Sequence, residues 1–377
     1  MERNKKDMLY SLGVAVTLLG LCVICWLKPA NDFSATERRK LEQLPELSLE
    51  TVMNGSFMSD FESYTVDQFP FRDGFRGIKA LVQKYMLGQS DNNGIYMAEG
   101  HLSQMDETLS EDALSRAVNK LNQVYENHIK GSDAKVYLSI IPDKNYFLAK
   151  ENGYLAYDYD ELYSYVQDGL KYMHYIEIED LLSLEDYYRT DSHWKQQNIL
   201  DVAERLKGQM QNDLMEEAAT HENIDGMQYE AITLNNPFFG VYYGQAALPV
   251  EPDVITYMEH EGFDSCRVYD HENQREIPIY DLELAAGRDG YEMFLSGALS
   301  VISIENPKAT TDKELVIFRD SYGSSIAPLL VEHYSKITLI DIRYINEKMI
   351  GEFVEFTNQD VLFLYSTSVL NNEVSFR

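Results

Sequence analysis

Apolar residues along the chain fall into three patterns, and each predicts a kind of element. The longest uncharged run, the twenty residues 8–27, follows Arg3, Lys5 and Lys6 and is long enough to cross a bilayer as a helix. Recurrence every three or four residues predicts soluble helices. It appears within 61–64 and 75–85, and over a longer stretch at Leu114, Ala117, Val118, Leu121, Val124, Tyr125 and His128, a face closed off by Gly131-Ser132-Asp133. Ile199, Val202, Ala203 and Leu206 mark another helix within 196–210. Short apolar runs predict strands at 136–142 and 172–178, and 253–257 and 276–280 read as a strand pair. Residues 91–102 read as a hairpin with Ala98-Glu99-Gly100 at its tip. From Leu299 onward the two patterns alternate, with strands at 299–304, 315–318, 336–341 and 361–366 and helices at 324–334 and 344–356. That alternation predicts βαβ units, so the fold class is α/β with a parallel sheet flanked by helices.

Three segments follow from this pattern. Residues 1–27 are a cytoplasmic tip and transmembrane helix, 28–58 a stalk with Pro29, Pro45 and Asn54-Gly55, and 59–377 one large domain. The acidic stretch 211–235 reads as a surface excursion within it. The basic tip predicts that the N-terminus stays cytoplasmic and that the bulk of the chain lies outside the cell membrane. Cys25, Trp26 and Leu27 end the apolar run where a cleavage site would need small residues, which predicts an uncleaved single-pass anchor; a cleaved signal peptide is the alternative.

Composition narrows the function. The chain is 45% hydrophobic and holds 27 Tyr, a globular composition that suits half-buried strands and also sugar-facing grooves. Against 62 acidic residues stand only 32 basic ones, and the net charge of −30 argues against nucleic acid and against polyanionic substrates unless a local basic groove admits them. Beyond residue 27 the sole cysteine is Cys266, so that part has no internal disulfide and no thiolate metal cluster. No metal site and no cofactor is expected.

The candidate chemistry sits at Ser321. Leu315-Val-Ile-Phe318 reads as a strand covered on both faces, Arg319 and Asp320 end it, and a helical pattern begins at Ser324. A serine between strand and helix is lifted clear of the sheet, beside backbone N–H groups able to hold an oxyanion. Serine is equally a common helix cap. A nucleophile needs a base, and of the eight histidines His193 has an orienting carboxylate two residues away in Asp191. In an extended segment those side chains share a side, so Asp191 could fix one imidazole nitrogen and leave the other free. Asp191 as a helix cap, a surface pair, or part of a metal site are the other readings of the same residues. His333 is a rival base, but it lies about three helical turns beyond Ser321. Lys144, just past the carboxyl end of the strand at 136–142, is a binding candidate or a solvated lysine.

With both segments in view the sequence resembles the DHHW family, itself similar to alginate O-acetyltransferase proteins with SGNH-hydrolase-like domains. Thr190-Asp191-Ser192-His193-Trp194 corresponds to the name-giving motif, and Phe318-Arg-Asp-Ser-Tyr-Gly323 with Pro328 and Leu329 to the nucleophile block. Asp289-Gly-Tyr-Glu-Met-Phe-Leu-Ser-Gly297, Ile304-Glu-Asn306, Ile340-Asp-Ile-Arg-Tyr344 and the early Phe69-Pro-Phe-Arg72 are further parallels, so the resemblance covers most of the chain. One departure is Ser192 in place of the first histidine of the motif, which puts any role of that histidine in doubt.

The resemblance implies Ser321 as nucleophile, His193 as base and Asp191 as orienter; Tyr322, Gly323, Lys144, Trp194 and Arg343 are the candidate substrate or oxyanion groups. It implies an extracellular transferase or esterase for acyl groups, O-acetyl first, on a cell-surface polysaccharide. A membrane-bound acyl carrier of the O-acyltransferase type would be the partner. A non-catalytic glycan-binding or assembly protein of a polysaccharide complex is the alternative, motivated by Ser192 and the tyrosine content. A plain scaffold for a membrane complex is the third reading.

Overall fold

A computed structural model describes residues 2–34, 36–211 and 229–376. The chain divides into two compact units, one of residues 1–92 with 243–249 and one of 93–242 with 250–377.

In the first unit the apolar run lies in helix α1 (Glu2–Leu27), of which residues 5–27 are long and apolar enough to cross a membrane. Two short strands, β1 (Phe33–Ser34) and β2 (Arg39–Lys40), pair antiparallel, and helices α2 (Leu49–Met53), α3 (Ser56–Asp67) and α4 (Arg72–Tyr85) follow. Ion pairs do much of the joining. The Arg39 guanidinium grips Asp67 through two nitrogens at 2.8 and 2.6 Å, and Arg72 and Arg76 both reach Glu37.

The second unit opens with the expected hairpin, β3 (Ile95–Ala98) and β4 (His101–Gln104), which turns at Glu99 and Gly100, both with positive φ. Its centre is an eight-stranded mixed sheet. In spatial order the strands are β10 (Arg275–Ile277), β9 (Arg267–Asp270), β11 (Val301–Glu305), β13 (Lys336–Ile340), β12 (Glu314–Arg319), β14 (Asp360–Ser366), β5 (Lys135–Ile141) and β6 (His174–Tyr175). The five from β13 to β6 run parallel, while β11, β9 and β10 pair antiparallel beyond them.

Both faces of the parallel part are covered, which explains its uncharged runs. On β12, Leu315 and Ile317 enter one core and Val316 and Phe318 the other. The first core is closed by α8 (Leu200–Gln211), through Val202 and Leu206, and by residues 327–331. The second is closed by α5 (Glu111–Val124) and α7 (Tyr159–Gly169).

Several elements differ from the periodic pattern. The helix expected at 324–334 is one α turn, Gly323–Ile326, continued as a 3₁₀ helix, Ala327–His333, where Pro328 has no N–H to give the α ladder. The helix expected at 344–356 is only a 3₁₀ turn, Glu347–Glu352. Strand 253–257 does not pair with 276–280. Instead β8 (Asp253–Glu259) pairs with β7 (Glu230–Phe238), and β10 pairs with β9. Of the acidic stretch 211–235, residues 212–228 lie outside the described residues.

Candidate active site

Ser321 follows the carboxyl end of β12, between neighbours β13 and β14. Its turn is nailed down by Asp320, which is fully buried and accepts hydrogen bonds from the Ser366 amide at 2.8 Å, the Ser366 hydroxyl at 2.7 Å and the Tyr322 amide at 3.0 Å. Gly323 belongs there because an added Cβ would stand 2.6 Å from Cβ of Arg319.

The second segment is a tight loop and not the extended strand that the spacing suggested. Tyr187 and Trp194 pair as an antiparallel bridge, and the Tyr188 amide donates to the His193 carbonyl at 3.0 Å. Within the loop Asp191 Oδ1 accepts the His193 backbone N–H at 3.1 Å and His193 Nδ1–H at 2.6 Å. An Asx-type turn therefore brings carboxylate and imidazole together. A carboxylate only accepts, so Nδ1 carries the proton and Nε2 is left for Ser321 Oγ, 2.7 Å away. Asp191 is buried, whereas His193 and Ser321 are partly open to solvent.

Residues that the sequence did not single out hold this arrangement. Val241 N–H donates to Asp191 Oδ2 at 2.9 Å, and Gly240 packs so closely that a Cβ there would lie 2.3 Å from Cβ of Asp191. Asp253 accepts from the Arg189 amide at 2.8 Å, the Thr190 amide at 2.8 Å and the Thr190 hydroxyl at 2.6 Å. Tyr291 lies flat against the His193 ring. Ser325 Oγ, one turn past Ser321, receives Trp194 Nε1–H at 2.8 Å and donates to the Tyr322 carbonyl at 3.2 Å. With its one proton spent, Ser325 takes the 2.8 Å bond to Tyr291 as acceptor, so the tyrosine is the donor.

The remaining candidates are placed differently from one another. Trp194 is buried beneath the site, edge-on to Tyr322. Tyr322 is a strut: its hydroxyl donates to the Ser192 carbonyl at 2.6 Å and ties the two segments together. The Tyr322 and Gly323 amides already donate within the turn, to Asp320 Oδ1 at 3.0 Å and to the Asp320 carbonyl at 3.1 Å. The Ser321 amide, by contrast, makes no hydrogen bond to any described residue. Lys144 is no solvated lysine. Its ammonium is buried and donates to the carbonyls of Tyr188 at 2.9 Å and Arg189 at 3.3 Å, and burial pushes its pKa down to about 7. Arg343 is forked onto Asp341 at 2.8 and 2.6 Å, and this pairing holds its pKa above the usual value despite burial. Both cations thus serve the protein's own acceptors. His333 ends the 3₁₀ helix, partly buried, without a bond to Ser321. Among the described residues no three His, Cys, Asp or Glu side chains converge as metal ligands.

No protein-family model and no curated protein matches the chain. Solved structures do. A DHHW family protein from Eubacterium siraeum superposes with a TM-score of 0.59 at 22% identity, over 76% of this chain and 94% of that one. Bacillus cereus PatB1 with a sulfonyl adduct gives 0.56 at 17% identity over 75% and 97%, and a second PatB1 structure gives 0.54 at 17% over 75% and 98%. At such identities the likeness is one of fold. The chain therefore shares the α/β fold of these proteins, and it resembles the DHHW family protein in architecture as well as in the motifs quoted above.

Proposed function

We propose that the protein is a membrane-anchored acyltransferase or esterase that carries an acyl group, most simply acetyl, through Ser321 to or from a cell-surface polysaccharide. The observation that carries this reading is the unbroken chain Asp191 Oδ1 to His193 Nδ1 at 2.6 Å and His193 Nε2 to Ser321 Oγ at 2.7 Å. In the first half-reaction Ser321 Oγ bonds to the acyl carbonyl carbon while its proton passes to Nε2. The resulting imidazolium, steadied by Asp191, protonates the departing alcohol as the acyl–oxygen bond breaks. In the second half an acceptor hydroxyl gives its proton to Nε2 as its oxygen bonds to the acyl carbon, and Nε2 returns that proton to Ser321 Oγ as the acyl–Oγ bond breaks. A sugar as acceptor makes the protein a transferase, and water makes it an esterase. The Ser321 amide would hold the developing oxyanion.

The anchor reading adds that α1 keeps the site outside the cell, where a polysaccharide is within reach and where a membrane-bound acyl carrier would supply the donor. The sulfonyl adduct carried by Bacillus cereus PatB1 suggests the same class of reagent as a probe for this chain. Treatment with a sulfonyl fluoride should add one sulfonyl group at Ser321 by mass, and acetyl-ester turnover should disappear with it. Labelling that persists in Ser321→Ala, or that is indifferent to His193→Ala, would sink the mechanism and favour a glycan-binding role.

A further inference from the structure

Helix α4 presents its large apolar residues outward. On its inner side Ala80 is fully buried, and a Cβ added to Gly77 would stand 3.7 Å from the carbonyl oxygen of Ala247. Phe71, Phe75, Ile78, Val82 and Tyr85 recur four and three residues apart and so share one stripe, with exposures from 36% to 74%. A continuous apolar stripe of this kind marks a surface that something covers.

Two observations say what covers it. The first is charge. Within Arg72–Tyr85 there are four basic residues and one acidic residue, in a chain whose net charge is −30. Arg72 and Arg76 are paired with Glu37, and Lys79 stands exposed beside the stripe. A basic amphipathic helix with aromatic and aliphatic residues on its other face has the chemistry of a lipid-surface helix. The second is position. Gln68, which directly precedes the turn into α4, is buried and exchanges two hydrogen bonds with the backbone of Asn31, at 2.9 and 2.8 Å. Cys25, in the last turn of α1, lies 3.9 Å from the Gln68 carbonyl. Phe69 leans on Phe75, with ring centroids 5.6 Å apart. The end of the apolar helix is thereby tied to the start of α4, and Trp26 at that end is 84% exposed, as an interfacial tryptophan would be.

We infer that α4 lies in the outer surface of the bilayer that α1 crosses, with the stripe from Phe71 to Tyr85 among the upper acyl chains and Lys79 at the lipid phosphates. This rests on the reading of α1 as an anchor.

The test uses the full chain in vesicles of phosphatidylcholine and phosphatidylglycerol, with Cys22, Cys25 and Cys266 replaced by serine. Single spin labels are placed through Leu18→Cys, Ile78→Cys, Lys79→Cys, Val82→Cys and Gln83→Cys. Collision rates with oxygen, which concentrates in lipid, are compared with those of a water-soluble nickel chelate. The expected result is an oxygen-to-nickel ratio several-fold higher at 78 and 82 than at 79 and 83, with the label at 18 fully lipid-embedded. Equal, water-like ratios at 78, 79, 82 and 83 with an embedded label at 18 would overturn the surface helix and leave the anchor. A water-exposed label at 18 would remove the anchor and this inference together. Shielding of 78 and 82 from both reagents would mean a protein partner or a second copy, and would equally overturn it.

Discussion

The phenol ring of Tyr291 lies flat on the imidazole of His193, with centroids 3.8 Å apart and planes within 10° of parallel. The ring is itself fixed by its hydroxyl, which donates to Ser325 Oγ at 2.8 Å. On the proposed mechanism Tyr291 is thus a positioning residue for His193. Tyr291→Phe keeps the plate and loses only the hydroxyl, so kcat/KM for an acetyl ester should fall by less than about tenfold. Tyr291→Leu removes the plate and should cost about a hundredfold, roughly 2.7 kcal/mol of transition-state stabilisation. Similar losses in the two variants would show that the hydroxyl matters and the stack does not.

Asp191 holds His193 through its side chain and its backbone N–H together. In Asp191→Asn the amide can offer Nδ1 a donor where a carboxylate stood, which favours the wrong tautomer. Turnover should drop by about 10² to 10⁴ while the far-UV circular dichroism stays unchanged. Activity within a factor of about two of wild type would remove Asp191 from the mechanism.

Gly240→Ala puts a methyl group 2.3 to 2.4 Å from Cβ, Cα and the amide nitrogen of Asp191, and two of those three atoms are backbone. One of the two chains must move. The variant should lose about 1 to 3 kcal/mol in urea unfolding, and its rate of sulfonyl labelling should fall even where the fold survives. Unchanged stability and labelling would mean that the 240–242 turn does not clamp Asp191.

Lys144 gives a pH signature. Burial depresses its folded pKa to about 7, against about 10.4 in the unfolded chain. Between those values the unfolded state binds more protons, so this group makes stability rise with pH across that window, and its penalty is full below about pH 7. The melting temperature of wild type minus that of Lys144→Met should therefore climb from pH 7 toward pH 10. A flat or falling difference would show that the ammonium keeps its proton on the carbonyls of Tyr188 and Arg189 throughout.

What could be read from the sequence was local. The uncharged run of β12, the break at Arg319-Asp320, and the Asp191-x-His193 spacing each lie within a few residues, and the geometry places Ser321, His193 and Asp191 within hydrogen-bond reach. The physical reason for the pairing differed: an Asx-type turn, and not strand alternation, brings Asp191 to His193. The supports were hidden because they act through backbone amides or come from distant segments. Gly240 and Val241 lie in an aromatic turn that gave no chemical signal. Tyr291 stood inside the Asp289 to Gly297 parallel without a role. Short 3₁₀ turns replaced helices where Pro328 or a brief polar connection broke the ladder, and β7 took β8 as its partner because pairing between strands is a long-range choice that periodicity does not encode.

The order of strands across the sheet has a consequence for biosynthesis. β12 is flanked by β13 and β14, both of which come later in the chain, and the Asp320 carboxylate beneath Ser321 is satisfied by Ser366 at the end of β14. While the ribosome is still producing residues 341–366, Ser321 and β13 have been made but β14 cannot yet close around the serine. A chain emerging in that order carries an unassembled serine until its last central strand docks. On the proposed mechanism a nascent chain should therefore show no sulfonyl labelling at Ser321 until β14 has docked.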